Sequence, residues 1–226
     1  LAKKYNVYFI ADGVTAFGGM DVDVDRLGID IAIVGSQKCL GAPPGLCYVA
    51  CSDEAYGELR SPSMYLDLKA HFDKWKEDET PFTPATHLFF ASAEALDMLV
   101  EETREKRIER TAKMAKGFRA ACNALNLMLL PDASISSPTI TAVRNPPAVS
   151  EAQLREALRK EHGIVVAGGQ GELKGKIFRV GHMGFAQPRE ILTLVAALED
   201  LLSRAQHPFT PGAGVAAASR VFASSG

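Results

Sequence analysis

The sequence predicts an α/β fold, and two patterns indicate it. Residues 7–11 (VYFIA) and 31–35 (IAIVG) are short apolar runs of β-forming residues, typical of strands that are buried on both faces. From Pro131 onward, shorter strand and helix patterns alternate along the chain, at 139–143, 150–163, 164–167, 176–181 and 188–202. Such alternation indicates a second, smaller layer of strands with helices packed against it.

In the first half of the chain, each apolar run ends in small or polar residues. The first is followed by Asp12-Gly13 and the second by Ser36-Gln37-Lys38, with one helical turn predicted over 23–27. This arrangement predicts neighbouring parallel strands whose polar ends face a crevice at the carboxyl edge of the sheet. A third strand is expected over 46–51, after a tight turn that contains two glycines and two prolines.

The domain organisation follows from the remaining patterns. Residues 51–85 look irregular, and a single long helical pattern runs over 87–125. We expect the later part of a large domain over 1–102 and a small α/β domain over 103–205. Residues 206–226 are rich in Ala, Ser, Gly and Pro, which predicts a flexible tail. The first residue is Leu1, and LAKKYN has the pattern of a last helical turn, so we expect the sequence to continue upstream.

Composition narrows the classes of protein. The chain has 226 residues, 47% of them hydrophobic and 23% charged, with a net charge of −2. Without a basic excess we expect no nucleic-acid partner, and without an apolar run of about 18 residues we expect no membrane span. The four cysteines have no metal-ligand spacing, so we expect no metal site and reduced thiols in the cytoplasm.

Two residues at the predicted sheet edge could carry chemistry. A lysine at the position of Lys38 can form a Schiff base with an aldehyde cofactor. A carboxylate such as that of Asp12 can keep the ring nitrogen of pyridoxal phosphate protonated, which makes the ring an electron sink. On spacing alone, however, an aspartate after a strand is more often a turn residue and a single lysine more often a surface charge.

Asp12 and Lys38 lie in a long and specific sequence motif. The segment DGVTAFGGMDVDVDRLGIDIAIVGSQKCLGAPPG resembles the class V, fold-type I aminotransferases, in particular the alanine–glyoxylate and serine–pyruvate branch. The resemblance implies a pyridoxal-phosphate enzyme in which Lys38 carries the cofactor and Asp12 pairs with its ring nitrogen. It further implies that Val14 packs on the ring and that Gln37 binds the phosphate. The related cysteine desulfurases typically have histidine before the lysine, so Gln37 favours transamination.

Two later segments resemble the same family. GIVVAGGQGELKGKIFRVGHMG is similar to the segment that carries the arginine for the substrate α-carboxylate, which implies this role for Arg179. A surface arginine in a salt bridge is the alternative on sequence alone. ETPFTPATHLFFASAEAL is similar to the segment in which a threonine contacts the cofactor phosphate of the neighbouring subunit, which implies this role for Thr83 and a homodimer.

The resemblance therefore implies transfer of an amino group from alanine or serine to glyoxylate or pyruvate. Two alternatives stay open. One is a lyase or desulfurase on the same fold. The other is a non-catalytic, truncated subunit that acts as an interaction partner. The exact donor and acceptor do not follow from the sequence.

Overall fold

The computed structural model describes residues 1–61 and 63–224, and its elements fall into two units, Leu1–Glu102 and Thr103–Gly226. The first unit contains three strands and five helices among the described residues: α1 (Ala2–Tyr5), β1 (Ile10–Asp12), α2 (Val24–Leu27), β2 (Ile31–Gly35), β3 (Cys47–Cys51), α3 (Asp53–Glu58), α4 (Leu68–Trp75) and α5 (Thr86–Glu102). The strands form one sheet in the order β1-β2-β3. β1 and β2 run parallel, as predicted, whereas β3 is antiparallel to β2.

Short helices of the first unit begin where the sequence supplies a capping side chain. The carboxylate of Asp23 accepts the backbone N–H of Arg26 at the start of α2. The hydroxyl of Ser52 and the carboxylate of Asp67 cap α3 and α4 in the same way. The prediction that residues 51–85 are irregular was wrong, because these two caps begin helices that are too short to show a clear apolar period.

The second unit is built around one sheet and four long helices among the described residues. Its elements are α6 (Arg104–Ala124), β4 (Ile140–Arg144), α7 (Glu151–His162), β5 (Ala167–Gly168), β6 (Ile177–Gly181), α8 (Pro188–Arg204) and α9 (Ala213–Ala223). The sheet has the order β4-β6-β5, and both of its pairings are antiparallel. Helix α7 begins with a capping box between Ser150 and Gln153 and ends at Gly163, whose φ of 68° is left-handed.

The core of the second unit is continuous and apolar. Fully buried side chains from helices and sheet meet there, among them Phe118, Leu158, Phe178 and Leu198. These side chains come from α6, α7, β6 and α8, so each element contributes one face to the same interior. Burial of this apolar surface holds the unit together.

The long helical pattern over 87–125 is two helices, because the backbone breaks at Thr103. This residue has φ 70° and ψ 147°, a conformation outside the helical region and rare for a β-branched residue. Its hydroxyl accepts the N–H of Lys106 and so caps α6. The residues around Thr103 are polar and compatible with a helix, so the hydrophobic pattern does not reveal the break.

The flexible tail predicted for residues 206–226 was wrong for most of its length. Helix α9 covers Ala213–Ala223, and Ala218 in it is fully buried. A Cβ on Gly117 of α6 would lie 2.4 Å from the ring of Phe222, so the bare glycine lets α9 approach α6 closely. Small residues that resemble a flexible tail therefore serve close helix packing here. Residues 225 and 226 of the predicted tail lie outside the described residues.

Within the described ranges 1–61 and 63–224, no helix is long and apolar enough to cross a membrane.

Candidate functional site

The carboxyl ends of β1 and β2 define the candidate site in the first unit. These two strands are parallel and in register, with Asp12 opposite Ile33. Asp12 is the last residue of β1, and Lys38 lies in the turn that follows the end of β2 at Gly35. Parallel strands point their carboxyl ends to one edge, so both residues belong to the same edge of the sheet, as predicted.

The turn after Asp12 is fixed by backbone and side-chain hydrogen bonds. Oδ1 of Asp12 accepts the N–H of Val14 at 3.2 Å, and the N–H of Gly13 donates to the carbonyl of Ile33 at 3.0 Å. A Cβ on Gly13 would lie 2.1 Å from the ring of Phe17, so a side chain at this position would force that ring to move. The Asp12 carboxylate is exposed and is held by its own turn.

Val14 and Gln37 meet above the bare α-carbon of Gly35. A Cβ on Gly35 would lie 3.0 Å from Cγ1 of Val14 and 3.1 Å from Oε1 of Gln37. The structure therefore brings together two of the predicted cofactor-binding side chains, one from each strand end. A side chain at Gly35 would push both groups away, so the glycine allows Val14 and Gln37 to approach each other closely.

The loop that carries Lys38 is held by Ser36, which the sequence reading did not single out. The fully buried hydroxyl of Ser36 donates to the carbonyl of Pro43 at 2.7 Å and accepts the N–H of Leu46 at 3.3 Å. The N–H of Gly41 donates to the carbonyl of Lys38 at 3.1 Å, and Gly41 adopts a left-handed φ of 78°. A serine between a strand-ending glycine and the lysine was the available signal.

Cys39, beside the lysine, is a buried packing residue. Its thiol donates to the carbonyl of Thr15 at 3.3 Å and so joins the two strand-end loops. Cys39 therefore acts as a small packing residue next to Lys38.

Thr83 lines an open aromatic depression in the same unit. The depression is formed by residues from the end of α4 to the start of α5, including Trp75, Phe82, Phe89 and Phe90. Trp75 is 71% exposed and Phe90 is 76% exposed, which is unusual for large apolar side chains. Among the residues that the structure describes, the hydroxyl of Thr83 forms no hydrogen bond, whereas the hydroxyl of Thr80 donates to the carbonyl of Phe82 at 2.6 Å.

Arg179 lies in the second unit, at the centre of β6. Its Nε donates to the carbonyl of Gly168 on β5 at 2.8 Å, and within the described residues it forms no salt bridge. Because the Nε–H is taken, the two Nη groups at the end of the guanidinium form the edge that remains for a carboxylate. Two parallel hydrogen bonds from this edge suit a planar carboxylate.

His182, three residues after Arg179, is fully buried. Burial, helped by the charge of Arg119, lowers the pKa of His182 to about 3. Its Nε2 lies 2.8 Å from Oγ1 of Thr141 on the neighbouring strand. These contacts give His182 a structural role in the core of the second unit.

Comparison with known proteins decides the family. The family model for class-V aminotransferases matches residues 1–179. The chain belongs to the class-V aminotransferase family. This confirms the resemblance inferred from the three motif segments.

Individual members of the family match along almost the whole chain. A pyridoxamine–pyruvate transaminase of Mesorhizobium japonicum is 36% identical and covers 96% of this chain and 58% of its own length. A protein of a Synechococcus strain named as the small subunit of a soluble hydrogenase is 45% identical and covers 94% of this chain and 56% of its own length.

Solved structures of the family share the fold. The crystal structure of ureidoglycine–glyoxylate aminotransferase from Bacillus subtilis superposes with a TM-score of 0.93 at 31% identity, covering 99% of this chain and 59% of its own. The predicted fold-type I architecture is thereby confirmed. The chain spans between half and two thirds of the length of these relatives.

Proposed function

We propose that the protein to which this chain belongs is a pyridoxal-phosphate-dependent transaminase for small amino acids and 2-oxo acids. The observation that carries the proposal is the joint placement of Asp12 and Lys38 at the carboxyl edge of two parallel strands. Relatives named as transaminases with pyruvate or glyoxylate as acceptor support it. The donor that fits best is alanine or serine.

The residues present fit the cofactor. Because Gly35 has no side chain, Val14 and Gln37 come together at the end of β2, beside the loop that carries Lys38. Val14 offers an apolar face, and Gln37 offers an amide donor. Asp12 offers a carboxylate that is held in place by the Val14 N–H. When bound, pyridoxal phosphate supplies an electron sink for the carbanion at the substrate α-carbon.

Lys38 has two tasks in this proposal. Its amine would hold the cofactor covalently, and its Nζ would carry the proton of the substrate α-carbon during amino-group transfer. Ser36 fixes the loop through Pro43 and Leu46, so the lysine backbone cannot drift while its side chain moves. Asp12 keeps the ring nitrogen protonated.

Arg179 binds the α-carboxylate of the substrate in this proposal. Its Nε is bonded to Gly168, so its two Nη groups take the carboxylate oxygens. A substrate held by two parallel bonds presents its α-hydrogen in one orientation, which proton transfer requires.

A lyase on the same fold is the second candidate, and Gln37 argues against it. The residue before Lys38 is an amide, whereas the related desulfurases typically carry histidine there. Cys47 and Cys51 lie in β3, a paired strand, and not in a mobile loop that a nucleophilic cysteine would need. A non-catalytic role is the third candidate, and it is separated from the others by cofactor binding.

The active form is a homodimer in this proposal, with Thr83 reaching the cofactor phosphate of the neighbouring subunit. The exposed rings of Trp75, Phe89 and Phe90 around Thr83 support it, because a second copy would bury them. A cytoplasmic location is proposed as well, because Cys47, Cys51 and Cys122 are free thiols.

Borohydride trapping tests the proposed function directly. The whole protein is incubated with pyridoxal phosphate, reduced with borohydride and digested, and the modified peptide is located by mass spectrometry. We expect the cofactor mass on the peptide with Lys38, and formation of alanine from pyruvate when serine is added as the amino donor to a second, unreduced sample. Modification at another lysine would refute the assignment. Absence of modification would favour the non-catalytic role.

A further inference from the structure

The strand that orients Arg179 is short and lies at the edge of its sheet. β5 has only two residues, Ala167 and Gly168, and pairs with β6 alone. A two-residue edge strand has few ladder bonds to hold its position. The carbonyl of Gly168 accepts the Nε–H of Arg179 at 2.8 Å. Its position therefore depends on how firmly the rest of the structure holds β5.

Helix α7 anchors this segment from its other side. The Nε of Arg155 donates to the carbonyl of Val166 at 3.0 Å, directly before β5. An Nη1–H of Arg155 donates to Oε1 of Glu151 at 2.9 Å, one helical turn earlier. Glu151 is 7% exposed, so its carboxylate fixes the guanidinium in one orientation.

Gly168 permits this contact because it has no side chain. A Cβ on Gly168 would lie 2.5 Å from Oε1 of Glu151 and 2.7 Å from Nη1 of Arg155. The ion pair therefore packs against the bare α-carbon of the residue whose carbonyl holds Arg179. A continuous set of polar contacts runs from the Glu151 carboxylate through Arg155 and the β5 backbone to Arg179.

We propose that Arg155, oriented by Glu151, is a positioning residue for the arginine that binds the substrate carboxylate. The inference rests on the proposed function of Arg179 and deepens it. Arg155 does not touch the substrate in this view. It holds the Val166–Gly168 segment so that the Gly168 carbonyl keeps the Arg179 guanidinium in the orientation that offers both Nη groups.

Loss of this anchor should affect carboxylate binding, and its effect on the fold can be separated. Arg155 is 40% exposed at its side chain and Glu151 only 8%, so removal of Arg155 leaves a nearly buried carboxylate without its partner, whereas Glu151→Gln removes the buried charge itself. A misplacement of a substrate-binding group by a fraction of an ångström already lowers the rate of a reaction severalfold. We therefore expect a carboxylate-specific defect in a protein that remains folded.

The experiment uses propionate, which is alanine without its amine, as the probe. Its Kd for the whole, cofactor-free protein is measured by ligand-observed NMR for wild type, Arg155→Met, Arg179→Ala and the double variant. Arg159→Met, an exposed arginine one turn further along α7, is the matched control. With cofactor bound, the ratio of kcat/KM for alanine to that for ethylamine reports the same selectivity.

We expect Arg155→Met to raise the propionate Kd and lower the alanine preference by about three- to thirtyfold, with Arg159→Met within about twofold of wild type. The double variant should match Arg179→Ala, because Arg155 acts through Arg179. Arg155→Lys should recover part of the loss, since an ammonium can reach Val166 or Glu151 but lacks the fork. If Arg155→Met lowers the Tm, Glu151→Gln is measured in its place.

Three results would overturn the inference in distinguishable ways. If Arg155→Met behaves like Arg159→Met while Arg179→Ala loses propionate binding, only the positioning role fails. An equal additional loss in the Arg179→Ala background also refutes it, because Arg155 would then act independently. If Arg179→Ala binds propionate as wild type does, the proposed carboxylate site and this inference fail together.

Discussion

The two units differ in how much of their apolar surface they bury. In the described part of the first unit, the buried hydrophobic residues are mostly small: Ile29, Ala32, Cys39, Ala42, Ala55 and Ala95. The second unit buries large side chains from four helices and a sheet in one cluster. Its interior has the make-up of a self-sufficient core, whereas that of the first unit does not.

The exposed side of the first unit completes the contrast. Val7, Tyr8, Phe9 and Ile10 are between 40% and 60% exposed, and they lead into or form β1, the edge strand of the sheet. Apolar side chains beside an unpaired strand edge are a hazard in an isolated domain. The residues proposed for cofactor chemistry thus stand on the unit that has the less complete core.

Separation of the two units gives the largest expected effect. We expect residues 103–226, expressed alone, to unfold cooperatively in urea, because the cluster around Phe118 lies entirely within them. Residues 1–102 alone should show no cooperative transition and should aggregate. Circular dichroism across a urea series measures both. A cooperative transition of the first segment would remove the contrast.

Replacement of Lys38 by alanine should affect chemistry without affecting stability. We expect turnover of the whole protein to fall by at least about 10²–10⁴-fold, because the proton carrier is lost together with covalent attachment. The Tm of the cofactor-free protein should remain unchanged, since Lys38 lies in a surface loop and is not part of a core. Lys4→Ala, another lysine of the first unit, is the control and should keep full turnover. Residual transamination by Lys38→Ala at one tenth of wild type would contradict the assignment.

Replacement of Phe118 by alanine should affect stability, because Phe118 is part of the core and not of the proposed catalytic site. Its ring is fully buried among α6, β6 and α8 side chains, so the variant should lose about 3–5 kcal/mol of unfolding free energy. Met128→Ala, whose side chain is 66% exposed in the same unit, should lose less than about 0.5 kcal/mol. Urea midpoints of the whole chain measure the difference. Equal losses in the two variants would place Phe118 outside a cooperative core.

The sequence predicted the positions that depend on local pattern. The two apolar runs, the polar residues at their ends and the helix over 150–163 are local signals, and the resemblance to the family predicts roles for Lys38, Asp12 and Arg179. Ser36 and Gly168 were not identified, because their importance arises from tertiary contacts with Pro43, Leu46 and Arg179.

Two errors have a common physical origin. Helix α9 was taken for a flexible tail because its residues are small, and their use becomes visible only when Gly117 and Phe222 are seen in contact. The break at Thr103 was missed because a positive φ at a β-branched residue is imposed by its surroundings and not by its own preference. Composition indicates how much apolar surface a segment can bury with its own side chains. It does not indicate how closely another helix packs against that segment.

Hydrogen bonds in the second unit connect the buried ring of His182 to Arg119. Nε of Arg119 donates to Oγ1 of Thr141 at 3.1 Å, and the same oxygen lies 2.8 Å from Nε2 of His182. The Thr141 oxygen accepts from the guanidinium, which can only donate, and forms a second hydrogen bond with Nε2. The charge of Arg119 and the burial of the ring both favour the neutral imidazole.

The smallest expected effect is a pH dependence that arises from this buried ring. Burial and the nearby Arg119 lower the pKa of His182 to about 3 in the folded chain, whereas an unfolded histidine titrates near 6.5. Between these values the unfolded state binds one more proton, so the free energy of unfolding falls as pH falls, by up to about 1.4 kcal/mol per pH unit. From about pH 6.5 to about pH 5 the second unit should therefore lose about 2 kcal/mol through this residue.

His182→Gln keeps a hydrogen-bond partner for Thr141 but cannot titrate, and its stability should fall less steeply over the same range. His87→Gln, an exposed histidine of the first unit, should retain the wild-type slope. Urea unfolding at a series of pH values measures all three slopes, and identical slopes for wild type and His182→Gln would mean that the ring gains its proton without leaving the core.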